Sequence, residues 1–173
     1  MAPPAVRAAA VDDPSSQSNP AEARVVHADL ALCVDFGSRR VVGTAALSVR
    51  AEVAGVQQLR LDTRDLRISS ATWQSASSDA APAAFSVADA HPTLGACLTV
   101  ALPPGLAAGA TGVVTLAFAT SPDSSACQWL TPEQTAGGQH PYLFTQCQAI
   151  HARSLLPVQD CPAAKLTCVC LLP

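Results

Sequence analysis

Residues 26–53, VHADLALCVDFGSRRVVGTAALSVRAEV, hold two alternating runs and the turn that joins them, and the class of fold follows from that stretch. Val26, Ala28, Leu30, Leu32, Val34 and Phe36 are apolar, while His27, Asp29 and Asp35 fall between them. A repeat of two places successive side chains on opposite faces, which is a strand with one face in the core. Gly37-Ser38-Arg39-Arg40 predicts a turn. Val41, Ala45, Leu47, Val49 and Val53 then form one face of a second strand, against Thr44, Ser48, Arg50 and Glu52 on the other. Two such runs across a short Gly-containing connection predict a hairpin.

The same pattern continues outward. Leu59 and Leu61 alternate with Gln58, Arg60 and Asp62, and Leu66 and Ile68 alternate with Arg67 and Ser69. Phe85 and Val87 mark a short strand. Leu98, Val100 and Leu102 precede the break at Pro103-Pro104-Gly105, and Val114, Leu116 and Phe118 run to Ser121-Pro122. Short strands punctuated by Gly and Pro predict an all-β domain, a saddle-like antiparallel sheet or sandwich. A helical period is absent before residue 145. Gln146 to Arg153 is predicted as a short C-terminal helix that ends before Pro157.

Composition sets the boundaries of function. The 173 residues are 49% hydrophobic and 13% charged, which is globular and not disordered composition. A formal charge of -3 argues against a nucleic-acid partner. No run approaches the ~20 apolar residues that a membrane helix needs. Residues 1–24 are Ala-, Pro- and Ser-rich, carry Asp12, Asp13 and Glu22, and lack an apolar core segment. They are expected to be a flexible lead-in to a domain spanning 25–173, with a cytoplasmic location. Seven cysteines, an odd number, stand at 33, 97, 127, 147, 161, 168 and 170 and are expected to be reduced. Cys168 and Cys170 form C-x-C, but no C-x-x-C pair exists, so no metal site is assigned.

Motifs of self-sufficient catalysis are absent: there is no G-x-S-x-G, P-loop, G-x-G-x-x-G or H-E-x-x-H. Cys147 and His151 are four apart and would share a helix face, but no Asn or Asp nearby would orient the imidazole. Packing and hydrogen bonding is the reading adopted for them. No catalytic residue is assigned.

From Ser121 the texture becomes irregular, mixing Gln, His, Pro and aromatics, as in segments that line a site. Its wording is distinctive: S-P-x-S-S-A-x-Q-W-L-T-P-E-Q-T, H-P-Y-L-F-T-Q-C-Q-A-I-H-x-R and L-P-x-Q-D-x-P-x-x-K-L-T, over Ser121 to Thr167. Together these resemble the end of the N-terminal domain of the leukotriene A-4 hydrolases, zinc aminopeptidases of the aminopeptidase-N kind. Val34-Asp35-Phe36, Gly43-Thr44-Ala45-Ala46-Leu47, Leu61-Asp62-Thr63 and Asp65-Leu66 match in order upstream.

The resemblance implies a β domain seated on a zinc catalytic domain, its packing partner, with one edge lent to the substrate cleft. It puts Gln146, Cys147, Gln148 and Ala149 at that edge, where a peptide N-terminus or a lipid epoxide would bind. Gln148 stands where many relatives carry a Glu that holds the peptide ammonium. An amide accepts from an ammonium through its oxygen and donates through its nitrogen, with weaker charge recognition than a carboxylate. Gln134 and Tyr142 are expected to be structural, packing a loop under the helix, with Cys147 turned from the cleft.

Departures from the family pattern matter as much. The last strand ends in Cys168-Val169-Cys170-Leu171-Leu172-Pro173, expected to be a tail foreign to the fold. The zinc ligands, the general base and the proton donor of the family have no counterpart here, so zinc is a cofactor of the parent family and not of this chain. The expectation is a substrate-cleft-forming domain of a metalloaminopeptidase and epoxide hydrolase, truncated before its catalytic domain and inert alone. The alternative is a free-standing module that binds peptides or proteins without catalysis.

Overall fold

In the computed structural model, residues 13–172 are described. The strands in chain order are β1 (Ala23–Asp35), β2 (Arg40–Ala51), β3 (Gln58–Thr63), β4 (Arg67–Ser75), β5 (Ala81–Pro82), β6 (Phe85–Val87), β7 (Ala96–Ala101), β8 (Thr111–Ala119), β9 (Cys127–Leu130), β10 (Tyr142–Thr145) and β11 (Thr167–Leu171). A six-stranded sheet has the order β11-β1-β2-β8-β4-β5, a three-stranded sheet β3-β7-β6, and a hairpin pairs β10 with β9. The domain is all-β.

The period-2 runs explain the two large sheets. Ala28, Leu30 and Leu32 of β1, Ala45, Leu47 and Val49 of β2, and Val114, Leu116 and Phe118 of β8 turn to one side. Leu59 and Leu61 of β3 and Leu98 and Val100 of β7 meet them, and all belong to one apolar cluster. Two sheets thus enclose one core. Leu116 is fully buried, and losing such a side chain costs about 2–5 kcal/mol. Gly112 is required by packing, because a Cβ there would sit 2.3 Å from the Trp73 ring.

The hairpin turn forms as expected. Asp35 accepts from the Gly37 and Ser38 amides at 2.9 and 3.1 Å and from the Ser38 hydroxyl at 2.6 Å. That hydroxyl bond, with the amides, holds the Asp35 carboxyl below its ordinary pKa. Arg39 takes the left-handed conformation at φ 53°.

Several expectations are corrected. The inward face of β1 does not begin at Val26: a bulge between Val25 and His27 shifts the register, so Ala23 and Val25 are buried and the even positions take over from Ala28. Val53 lies beyond the end of β2 and is exposed. Asp62, expected on a solvent face, is 1% exposed because two other segments cover it. The expected helix over Gln146 to Arg153 is turns followed by a three-residue 3-10 turn, Ala152–Ser154. Its main-chain bonds run from His151 to Cys147, Ser154 to His151 and Leu155 to Ala152, a tightening of the turn to i−3 acceptors that leaves no continuous α ladder.

The two ends also differ from expectation. Positions 1–12 of the lead-in lie outside the described residues. Residues 13–22 lie against the sheet, where the Ser16 hydroxyl and Gln17 amide donate to Asp62 at 2.6 and 2.7 Å. The Asn19 amide group donates to the Gln58 carbonyl at 3.1 Å and accepts from the Arg60 amide at 2.8 Å. At the other end, Thr167–Leu171 is a strand of the sheet and not a foreign tail. It pairs parallel with β1, from His27 opposite Thr167 to Ala31 opposite Leu171.

Candidate functional site

The edge assigned to Gln146–Ala149 follows the β9–β10 hairpin. Its connection is shaped by Pro132–Gln134, a 3-10 turn whose Gln134 side-chain oxygen accepts from the Thr131 amide at 2.9 Å. Gln134 thus braces its own turn, and the helix it was expected to pack under does not form. The Thr131 hydroxyl holds the neighbouring Glu133 carboxyl below its ordinary pKa. Tyr142 differs from expectation. It is 55% exposed and lies beside the Phe144 ring at 6.4 Å, since alternate residues of β10 share its outer face.

Beyond β10 the Gln146 amide donates to the Ala126 carbonyl at 2.9 Å, continuing the ladder by one step. The chain then turns. The Gln148 amide donates to the side-chain oxygen of Gln146 at 3.2 Å, and the His151 amide to the Cys147 carbonyl at 2.9 Å. Gln146, Gln148 and Ala149 are exposed and Cys147 is half-buried. Burial, then the Asp160 and Cys127 charges, push the Cys147 thiol above its ordinary pKa. The side chain of Gln148 makes no hydrogen bond to the described residues, so its amide is free to meet a ligand. A cleft of about 650 Å³ elsewhere, lined by Gln58, Phe85, Ser86 and Thr99, includes none of these four residues.

The foot of this turn is built from polar side chains that sequence reasoning passed over. The Ser154 hydroxyl accepts from the Ala126 amide at 3.0 Å and donates to the His151 carbonyl at 2.8 Å. The Ser124 hydroxyl donates to the Ser154 carbonyl at 2.7 Å. The His151 ring meets the Ser125 hydroxyl at 2.7 Å, and its recorded partner is thus a serine and not the Cys147 thiol. Arg153 is fully buried. Its guanidinium donates to Asp160 Oδ2 at 3.0 Å and to the Leu94 carbonyl at 2.8 Å, and lies 3.7 Å from Asp62. Asp62 also accepts from the Asp160 amide at 3.0 Å. Gln159 accepts from the Val25 amide at 3.0 Å and donates to the Ala23 carbonyl at 2.7 Å, so it ties the segment to the bulged start of β1.

His151, Arg153, Gln159, Asp160 and Asp62 fall inside the distinctive words H-x-R, Q-D and Leu61-Asp62-Thr63, Ser124 and Ser125 inside S-P-x-S-S-A, and Ser154 just past H-x-R. The available signal was the presence of ionisable residues within the most distinctive stretch of a chain that is only 13% charged. A family description matches residues 25–172, that of the Peptidase M1 N-terminal domain.

The chain belongs to the peptidase M1 N-terminal domain family.

The match includes β11 and so extends the family domain through the Cys-rich ending. Leukotriene A-4 hydrolase of Xenopus laevis is 42% identical over 155 residues, which are 90% of this chain and 25% of that enzyme. Leucine aminopeptidase 2 of Yarrowia lipolytica is 39% identical over 90% of this chain and 23% of that protein. The structure of yeast LTA4 hydrolase with bestatin superposes with a TM-score of 0.80 at 28% identity, covering 96% of this chain and 26% of that one. An M1 zinc metallopeptidase of Deinococcus radiodurans, 24% identical with a TM-score of 0.66, shares the fold. The chain spans about a quarter of the length of the curated relatives it matches.

Relatives in this family are zinc metallopeptidases, but the donor set here does not fit zinc. Among the described residues no three His, Cys, Asp or Glu side chains gather as a ligand group. The His91 ring accepts from the Thr93 and Leu94 amides at 3.1 Å, His27 meets Thr167 and Asp29, and His151 meets Ser125. No step through a metal follows from these side chains.

Proposed function

We propose that residues 25–173 are the cleft-forming N-terminal domain of a leukotriene A-4 hydrolase-like aminopeptidase, and that Gln146, Cys147, Gln148 and Ala149 grip the end of its substrate. The observation that supports this is the exposed turn after β10, in which the Gln148 backbone is fixed while its side-chain amide is unengaged. A neutral amide accepts from a peptide ammonium and tolerates an apolar lipid, which suits an enzyme acting on a peptide N-terminus or a lipid epoxide. The zinc catalytic domain of such an enzyme is the packing partner, and hydrolysis resides there. Alone, these residues bind without turnover. Unpaired cysteines suit a reducing cytoplasmic setting.

The test uses the full-length protein that carries this domain and a tripeptide substrate with a free N-terminus. Gln148→Glu gives a charge-assisted bond, and KM falls for the free-amine peptide and not for a lipid epoxide. An unchanged KM with both Gln148→Glu and Gln148→Ala would reject the assignment.

A further inference from the structure

We infer that Arg153, acting with Asp62 and Asp160, is the positioning residue for the substrate edge at Gln146–Ala149. This deepens the proposed function and rests on it. Arg153 follows the turn directly: the His151 amide closes onto Cys147, the 3-10 turn begins at Ala152, and Arg153 is its middle residue. The charged contacts that fix the direction of the chain at this point converge on that residue. Its Nε and amide both meet Asp160 Oδ2, at 3.0 and 3.4 Å, and its Nη2 donates to the Asp160 carbonyl at 3.2 Å. Its Nη1 donates to the Leu94 carbonyl, and its own carbonyl accepts from the Arg64 amide at 2.8 Å.

Arg153 thus clamps the foot of the turn to the end of β3 and to the loop before β7. Asp62, at the end of β3, is the anchor of this clamp. Its carboxylate faces Arg153 and accepts from Asp160 on one side and from Ser16 and Gln17 on the other. Gln146, Gln148 and Ala149 are all exposed, so apolar packing by these three does not fix the edge, and this buried ionic junction is the charged tie at its foot, beside the Ser154 and Gln159 hydrogen bonds. A planar guanidinium satisfies three acceptors in fixed directions, and an ammonium in its place cannot reach them all. Small displacements at such a foot are carried into the grip on substrate.

The experiment is a double-mutant cycle in the full-length protein, with kcat and KM measured on a free-amine tripeptide and unfolding followed in parallel. The variants are Arg153→Lys, Asp160→Asn and Gln148→Ala, singly and with Gln148→Ala combined with each of the others. Arg153→Lys is expected to raise KM about tenfold, with kcat within about twofold. The Gln148→Ala background is expected to abolish that rise, because the clamp acts through the edge it positions. Asp160→Asn gives the same pattern at smaller size, and decides the matter alone if Arg153→Lys does not fold. If Gln148→Ala raises KM while the clamp variants leave it unchanged, or add to it independently, the positioning role is overturned and the edge stands. If Gln148→Ala itself leaves KM unchanged, the edge assignment fails first.

Discussion

The sheet body, from β1 to β8, and the segment from Ser121 to Leu166 are held by different forces. In the body, Leu47, Leu59, Leu61, Leu98 and Leu116 are buried against one another, and the hydrophobic effect carries the stability. In the segment, the fully buried positions include Arg153, Ser154 and Gln159, each bonded to main chain or to a carboxylate. The body needs residues that are apolar and of suitable size, and tolerates exchanges that keep volume. The segment needs particular polar atoms at particular places, because a buried group that loses its partner retains the full cost of desolvation. The substrate edge proposed at Gln146–Ala149 would gain precision from the second arrangement, and the domain gains bulk stability from the first.

The largest effect that separates the two regions is expected at Arg153. Arg153→Ala leaves Asp62 and Asp160 without their cation and should cost about 3–5 kcal/mol in urea unfolding, with hydrogen exchange rising first over residues 146–160. Leu116→Ala should cost about 2–5 kcal/mol with no such local bias, because its cavity lies in the shared core. Equal exchange profiles for the two variants would remove the distinction. Gln159→Ala should come next, at about 1–3 kcal/mol, since it strands the Val25 amide and Ala23 carbonyl at the bulge.

The smallest effect concerns the thiols. Burial pushes Cys127 and Cys147 above the ordinary value of 9.0, so the folded state disfavours their thiolates. Their contribution to stability is complete below that value and is lost as pH rises through the raised one. At neutral pH, alkylation by iodoacetamide followed by peptide mapping should modify exposed Cys33 and Cys170 first, half-buried Cys147 later, and buried Cys97 and Cys127 last. Early modification of Cys147 would show that the turn opens readily and that the clamp at its foot is weak.

The body was legible because its information is local: alternation assigns each residue of β2 and β8 a side without reference to any other segment. The bulge in β1 was not, since Val25 and Val26 are both apolar and either fits the inward face. Asp62 was misread for a different reason. Its cover arrives from Gln17 and Asp160, 45 and 98 residues away, and no local pattern records a distant partner. The turn carrying Gln146–Ala149 was located only by the resemblance of its wording to a known family, because a polar irregular stretch has no period to read. The same wording contains Arg153, Gln159 and Asp160, whose chemistry became apparent only when the fold brought them to β1 and β3.

The central claim is that these residues hold a substrate but do not hydrolyse it. The direct measurement is release of a chromophore from an aminoacyl anilide by the purified 173-residue chain, with and without added zinc. The account predicts no turnover above buffer in either condition. Turnover that follows the polypeptide through purification, binds stoichiometric zinc and disappears on chelation would contradict it.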